Sequence, residues 1–146
     1  MALFSKLLLA IDLSPESESL ISRVASLCKF DADQVHVVHV LKYGMHDSEL
    51  QPSNVDDNPH AQRMLDHTTA KIREQLQRHD LDLPADRIFL AYGEPAFEIK
   101  RVAADIDADL VIVGSHTKDD GWMQLPGTTT NCVIQGISSD VMAVKI

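Results

Sequence analysis

At 146 residues the chain has the length of one domain, residues 1–146, burying about 68–70% of the surface its unfolded form exposes. Hydrophobic residues make up 45% and charged residues 24%, with a formal net charge of −9; that balance supports a core and excludes duplex DNA and anionic membranes as default partners. The start is apolar but broken by Ser5 and Lys6, with no cleavage site, and no run nears the roughly 18 apolar residues of a membrane span, so a cytoplasmic location is expected.

Lys6 to Asp12 is a near-continuous apolar run, the pattern of a strand buried on both faces. Ser14-Pro15 then predicts a helix start, serine as cap and proline at the first helical position. Leu20, Ile21, Val24, Leu27 and Cys28 fall on one stripe of that helix. Gln34 to Leu41 is β-branched and reads as a second buried strand. The polar stretch Tyr43 to Asn58 reads as a long loop. Pro59 opens a second helix, with Ala61, Leu65, Thr68, Ile72 and Leu76 recurring every three or four residues.

Arg87 to Tyr92 is the third strand, ended by Gly93-Glu94-Pro95. Phe97, Ile99, Val102, Ala103 and Ile106 mark the third helix, and Leu110 to Val113 the fourth strand. A last helix is expected over about Thr128 to Ile137, with Val133, Ile134 and Ile137 on one side, and Val141 to Ile146 as the fifth strand. Cys28 and Cys132 sit far apart in helix-like segments and read as free core thiols of a reducing compartment.

Strands separated by helices pair in parallel through right-handed crossovers. The expected fold is therefore α/β, an open doubly wound five-stranded parallel sheet with four helices. Its order is taken as 3-2-1-4-5, in a flavodoxin-like arrangement of the kind seen in adenine-nucleotide alpha-hydrolases. Ligands of such sheets sit at the carboxyl ends of the strands, where the order reverses. That placement makes Asp12 and Gly114 neighbours across one crevice.

Three features carry chemistry. After the fourth strand come Gly114, then Thr117, then Gly127-Thr128-Thr129 before a helix. Gly114 is read as the turn off the strand, and the Gly127 end as backbone N–H groups facing an anion at a helix start. The alternative is an ordinary turn and cap. Asp119 and Asp120 lie in that loop with only Lys118 as a cation, so a triphosphate there would cost energy unless Mg²⁺ bridges the carboxylates or they point away.

Asp12, at a strand end, could accept hydrogen bonds from a ribose or an adenine amine, or hold a metal, or simply cap the following turn; the ligand and capping readings both stay open. Among the histidines, His36 and His39 face opposite sides of one strand and cannot share a metal. His116 alone reads as close to the site.

Several enzymes are excluded. There is no G-x-x-x-x-G-K-[ST] loop, no G-x-G-x-x-G and no G-x-S-x-G. The third strand ends Leu90-Ala91-Tyr92-Gly93, without the acceptor aspartate of a receiver domain. No general base accompanies Asp12, so hydrolysis would at most be slow.

The opening Ala10-Ile11-Asp12-Leu13-Ser14-Pro15-Glu16-Ser17, the Val37-Val38-His39-Val40 strand, the Gly93-Glu94-Pro95 turn and Asp109 through His116 together resemble the universal stress protein (UspA) family over essentially the whole chain. Nucleotide-binding members carry G-x2-G-x9-G-[ST] after the fourth strand. Gly114, Gly127 and Thr128 match it, while Thr117 stands where the second glycine belongs. The Asp12 to Ser17 stretch and Trp122 are instead similar to the branch that lacks the pattern.

By resemblance, Asp12 and Val40 would hold adenine and ribose. Val113 and Gly114 would flank the sugar, and Gly127, Thr128 and Thr129 would hold phosphate. The implied cofactor is ATP or another adenine nucleotide, with Mg²⁺ as its companion. The resemblance also implies a homodimer through the last strands, and Val141 to Ile146 independently forms an edge guarded only by Lys145. Proline at Val144 is expected to remove a donor from that edge. Two classes follow. One is a small stress-response regulator that binds an adenine nucleotide; the other is a dimeric interaction protein of the same fold without nucleotide. The protein partners are unknown in either case.

Overall fold

The apolar runs all become strands of one sheet. The computed structural model describes residues 4–27, 32–41, 59–115 and 132–146. In chain order the elements are β1 (Leu7–Ile11), α1 (Glu16–Leu27), β2 (Val35–Leu41), α2 (Pro59–Gln77), β3 (Ile88–Tyr92), α3 (Pro95–Asp105), β4 (Leu110–Ser115) and β5 (Asp140–Lys145). The fourth helix is described at residues 132–134.

The strands pair in parallel in the order β3-β2-β1-β4-β5, as the sequence predicts. β1 is central because it is buried on both faces. Leu7, Leu9 and Ile11 pack with Leu20, Ile21 and Val24 of α1 and with Ile72 and Leu76 of α2. Leu8 faces the other way, with Val38, Val111, Val113 and the α3 residues Ile99 and Val102. Helices cover both faces of the sheet, and the order reverses between β1 and β4.

Three residues expected on buried stripes are exposed: Leu27, Phe97 and Ile134. Each lies near an end of its helix, beyond the reach of the sheet that covers the middle turns. Among the described side chains of α2, Ile72, Gln75 and Leu76 are buried while Leu65 and Thr68 are half-covered; the expected stripe residue Ala61 lies outside the described side chains.

The fourth strand runs further than its apolar run. Gly114 and Ser115 stay in β4, paired with Val144 and Lys145 of β5, so Gly114 is not the turn that the sequence suggests. Ladder pairing with β5 overrides the local preference of glycine for a turn. In β5, Asp140 and Ile146 donate their N–H groups to Asp109 and Ser115. N–H groups alternate in direction along a strand, so those of Val141, Ala143 and Lys145 face the free edge. The N–H of Val144 points inward to β4, which corrects the expectation that proline at Val144 tests the edge.

At the N-terminal end of the sheet Asp109 joins β1 to β4. Its carboxylate accepts from the Ser5 N–H at 2.7 Å, the Ser5 hydroxyl at 2.9 Å and the Lys6 N–H at 2.9 Å. Lys6 Nζ donates to the Ile106 carbonyl at 3.0 Å. No described helix is long and apolar enough to cross a membrane.

Candidate functional site

At the opposite, carboxyl end of the same strands the order reversal leaves a crevice. α1 leaves β1 on one face while α3 approaches β4 on the other, so neither helix covers the point between them. A cavity of about 220 Å³ lies there, somewhat below the roughly 300–1,000 Å³ of typical small-molecule pockets. One wall is an apolar slot of Ala10, Val38, Val40, Pro95, Ile99 and Val113. The other wall holds Asp12, Ser17, Leu20, Gly114 and Ile146. Of the residues singled out from the sequence, Asp12, Val40, Val113 and Gly114 thus meet in one cavity. Thr117, Gly127, Thr128 and Thr129 lie outside the described residues, as do His116, Trp122 and the Tyr43 to Asn58 stretch.

The polar wall is organised by a short loop between β1 and α1. Asp12 follows the last residue of β1, and its Oδ1 accepts from the Ser14 N–H at 3.0 Å, the Ser14 hydroxyl at 2.5 Å and the Ser17 hydroxyl at 2.6 Å. The Ser17 hydroxyl in turn accepts the Asp12 N–H at 3.2 Å. Side chains that bond their own backbone two residues on are how Asp shapes turns. The capping role that sequence reasoning gave to Ser14 is therefore filled differently, with Ser14 donating to Asp12. Asp12 itself is exposed, while Ser17 is 2% exposed.

Leu13, between them, has φ of 60°, the left-handed region that costs a non-glycine residue about 1–2 kcal/mol. Its side chain packs against the α1-face core, and that packing holds the strained turn.

Two further contacts fix this loop. Gln75 of α2, 6% exposed, sends Nε2 toward the Ser14 carbonyl at 3.4 Å. Glu18 in the first turn of α1 accepts from Arg78 and from His79 Nε2, each at 2.5 Å. The His79 hydrogen bond, aided by the charges of Arg78 and His79, holds the Glu18 carboxyl below its ordinary value against the opposing cost of burial.

His39, excluded on sequence grounds as a metal partner of His36, has a structural role. It is buried in β2, and its Nδ1 lies 2.9 Å from the Ile11 carbonyl, so the N–H there donates to the last residue of β1. Two residues after Val37 of the α1-face core, it lies on the same face of β2, and nothing in the sequence showed the bond to Ile11. On the other wall, Glu94 caps α3 by accepting the Phe97 N–H at 2.8 Å, with Pro95 at the first helical turn. That cap aims Pro95 into the slot. No group of three or more His, Cys, Asp or Glu able to hold a metal exists among the described residues.

The geometry has counterparts. Residues 3–145 match the Universal stress protein family. Universal stress protein A homolog 2 of Coxiella burnetii is 28% identical over 98% of this chain and 96% of its own length. Among solved structures, a universal stress protein in complex with cAMP has a TM-score of 0.58 at 18% identity, covering 97% of each chain. One from Archaeoglobus fulgidus in complex with dAMP has a TM-score of 0.59 at 15% identity, covering 99% of this chain and 100% of that one. At those identities the structures show a common fold.

Proposed function

The chain belongs to the universal stress protein family, and from that premise we propose that it binds an adenine nucleotide in the β1/β4 crevice. The observation that carries the reading is the cavity itself: a mostly apolar crevice of about 220 Å³ with Asp12 among its lining residues. Small-molecule sites are typically this mixture, mostly apolar walls with a few placed polar groups. Two structures of the same fold hold cAMP and dAMP.

In this reading Val38, Val40 and Val113 cover the base and Asp12 accepts from its amine or from the ribose. The phosphates extend toward Gly127, Thr128 and Thr129, with Thr117 at the margin, a placement that rests on sequence alone. Mg²⁺ would arrive with the nucleotide and lie against Asp119 and Asp120. The role is a cytoplasmic stress-response regulator read by protein partners, and a homodimer formed along β5, with binding rather than turnover as its activity.

Calorimetric titration of nucleotide-stripped protein with ATP and Mg²⁺, and separately with AMP, tests this. A Kd in the micromolar range, about −8 kcal/mol, supports the site. Silence up to millimolar nucleotide removes it.

One observation favours the second reading, a dimeric interaction protein without nucleotide. Asp12 Oδ1 is already committed to Ser14 and Ser17, as a purely structural turn would have it. Loss of Asp12 then changes stability and leaves nothing else to change.

A further inference from the structure

Gly114 lies within β4, so its missing side chain is not explained by a turn. Its backbone is not left-handed either; among the described glycines only Gly93 and Gly136 have positive φ. Space explains it instead. A Cβ at position 114 would sit 2.5 Å from Ile146 Cδ1 and 3.4 Å from Ile146 Cγ1, with Leu20 Cδ2 at 3.8 Å. Carbon atoms in good contact lie about 3.5–4.0 Å apart, so Ile146 fills the room that a side chain at 114 would need.

Ile146 is held in place by its backbone. Its N–H donates to the Ser115 carbonyl at 3.1 Å, carrying the β4–β5 ladder one residue past β5. The same side chain borders the cavity beside Leu20.

We infer that Ile146 is a wall of the binding crevice that sets its size, and that Gly114 is a glycine in order to seat that wall. The affinity consequence rests on the adenine-nucleotide reading; the steric pairing does not. A side chain at 114 must turn Ile146 Cδ1 away from β4. Leu20 stands on the same side, and the crevice is open space that Ile146 borders. The isoleucine then intrudes where the ligand lies. Residue 146 thereby becomes a specificity-determining residue: shortening it opens the crevice, and crowding it closes the crevice.

Four proteins test this: wild type, Gly114→Ala, Ile146→Ala and the double variant, each titrated with AMP and followed by thermal unfolding. Gly114→Ala is expected to weaken AMP binding about tenfold in the wild-type background and less than about threefold in the Ile146→Ala background. Equal losses in both backgrounds, or no loss in wild type, overturn the inference and return Gly114 to a role in ligand approach.

If wild type does not bind AMP, the nucleotide reading has failed and the thermal arm decides. Gly114→Ala should then lower Tm by about 2–4 °C in wild type and leave the Ile146→Ala protein unchanged. Equal shifts, or none, show that the two residues are not one steric unit.

Discussion

Asp109 stands at the amino end of the β1–β4 pair and Asp12 at its carboxyl end, and both carboxylates accept hydrogen bonds from serine and backbone groups. Asp109 draws its donors from Ser5 and Lys6, more than a hundred residues away in sequence. It ties two strands together. Asp12 accepts from Ser14 and Ser17, within five residues, and a cavity lies beside it. The number of hydrogen bonds does not separate a staple from a site. Their reach along the chain, and the emptiness next to them, do.

The largest effect expected lies between the two ends, in the strand they share. Leu9→Ala removes a fully buried side chain of β1 and should cost about 3 kcal/mol, read from urea unfolding. A loss below about 1 kcal/mol would mean that β1 is not the common support of both ends.

Asp109→Ala should cost about 1–2 kcal/mol, charge-assisted bonds discounted for partial exposure, with AMP affinity unchanged. Partial burial pushes the Asp109 carboxyl up, but the Ser5 and Lys6 N–H groups and the Ser5 hydroxyl outweigh it and leave it below 3.8. A depressed folded-state pKa adds stability that is present above the unfolded value and lost as pH falls through the folded one. The gap in stability between wild type and Asp109→Asn should therefore hold above pH 3.8 and close below it. A gap that widens in acid would contradict the staple.

Asp12→Ala should reverse that profile. Affinity for AMP should fall about tenfold while stability drops by no more than about 1 kcal/mol, the usual loss of a cap. If stability falls and affinity does not, the two carboxylates are alike and both are structural.

The smallest effect on the fold is expected at the free edge. Ala143→Pro removes an N–H that faces away from β4, so folding should change by less than about 0.5 kcal/mol while self-association weakens. Sedimentation like that of wild type would dispose of a dimer along β5.

Much of the fold was legible because its strands are buried on both faces. Leu7 to Ile11 and Leu110 to Val113 are apolar throughout, and Val35 to Leu41 is β-branched apart from its two histidines and its final leucine, short runs of the length a strand buried on both faces takes. The helix stripes were legible in their middles and not at their ends, since Leu27 and Phe97 keep the helical period where there is no longer anything to pack against. Gly114 misled because a glycine after an apolar run reads as a stop. Only the partner strand and Ile146, distant in sequence, show why the strand continues.

At the site, Asp12 and Gly114 were found from strand ends, and Val40 and Val113 from the family resemblance. Ser17 and Ile146 were not, because their places depend on the turn at Leu13 and on the β4–β5 register. Thr117 and the Gly127 to Thr129 stretch lie outside the described residues, and their part rests on the sequence pattern.

Leu13 carries a consequence for genetics. Its left-handed backbone is kept in place by the side chain's contacts with the α1-face core, so the shape of the Asp12 turn is set from beneath. A selection for variants that lose their ligand yet still fold should then return positions that never touch it. Those positions should cluster in the core under Leu13, and Leu13→Gly should make the protein indifferent to many of them.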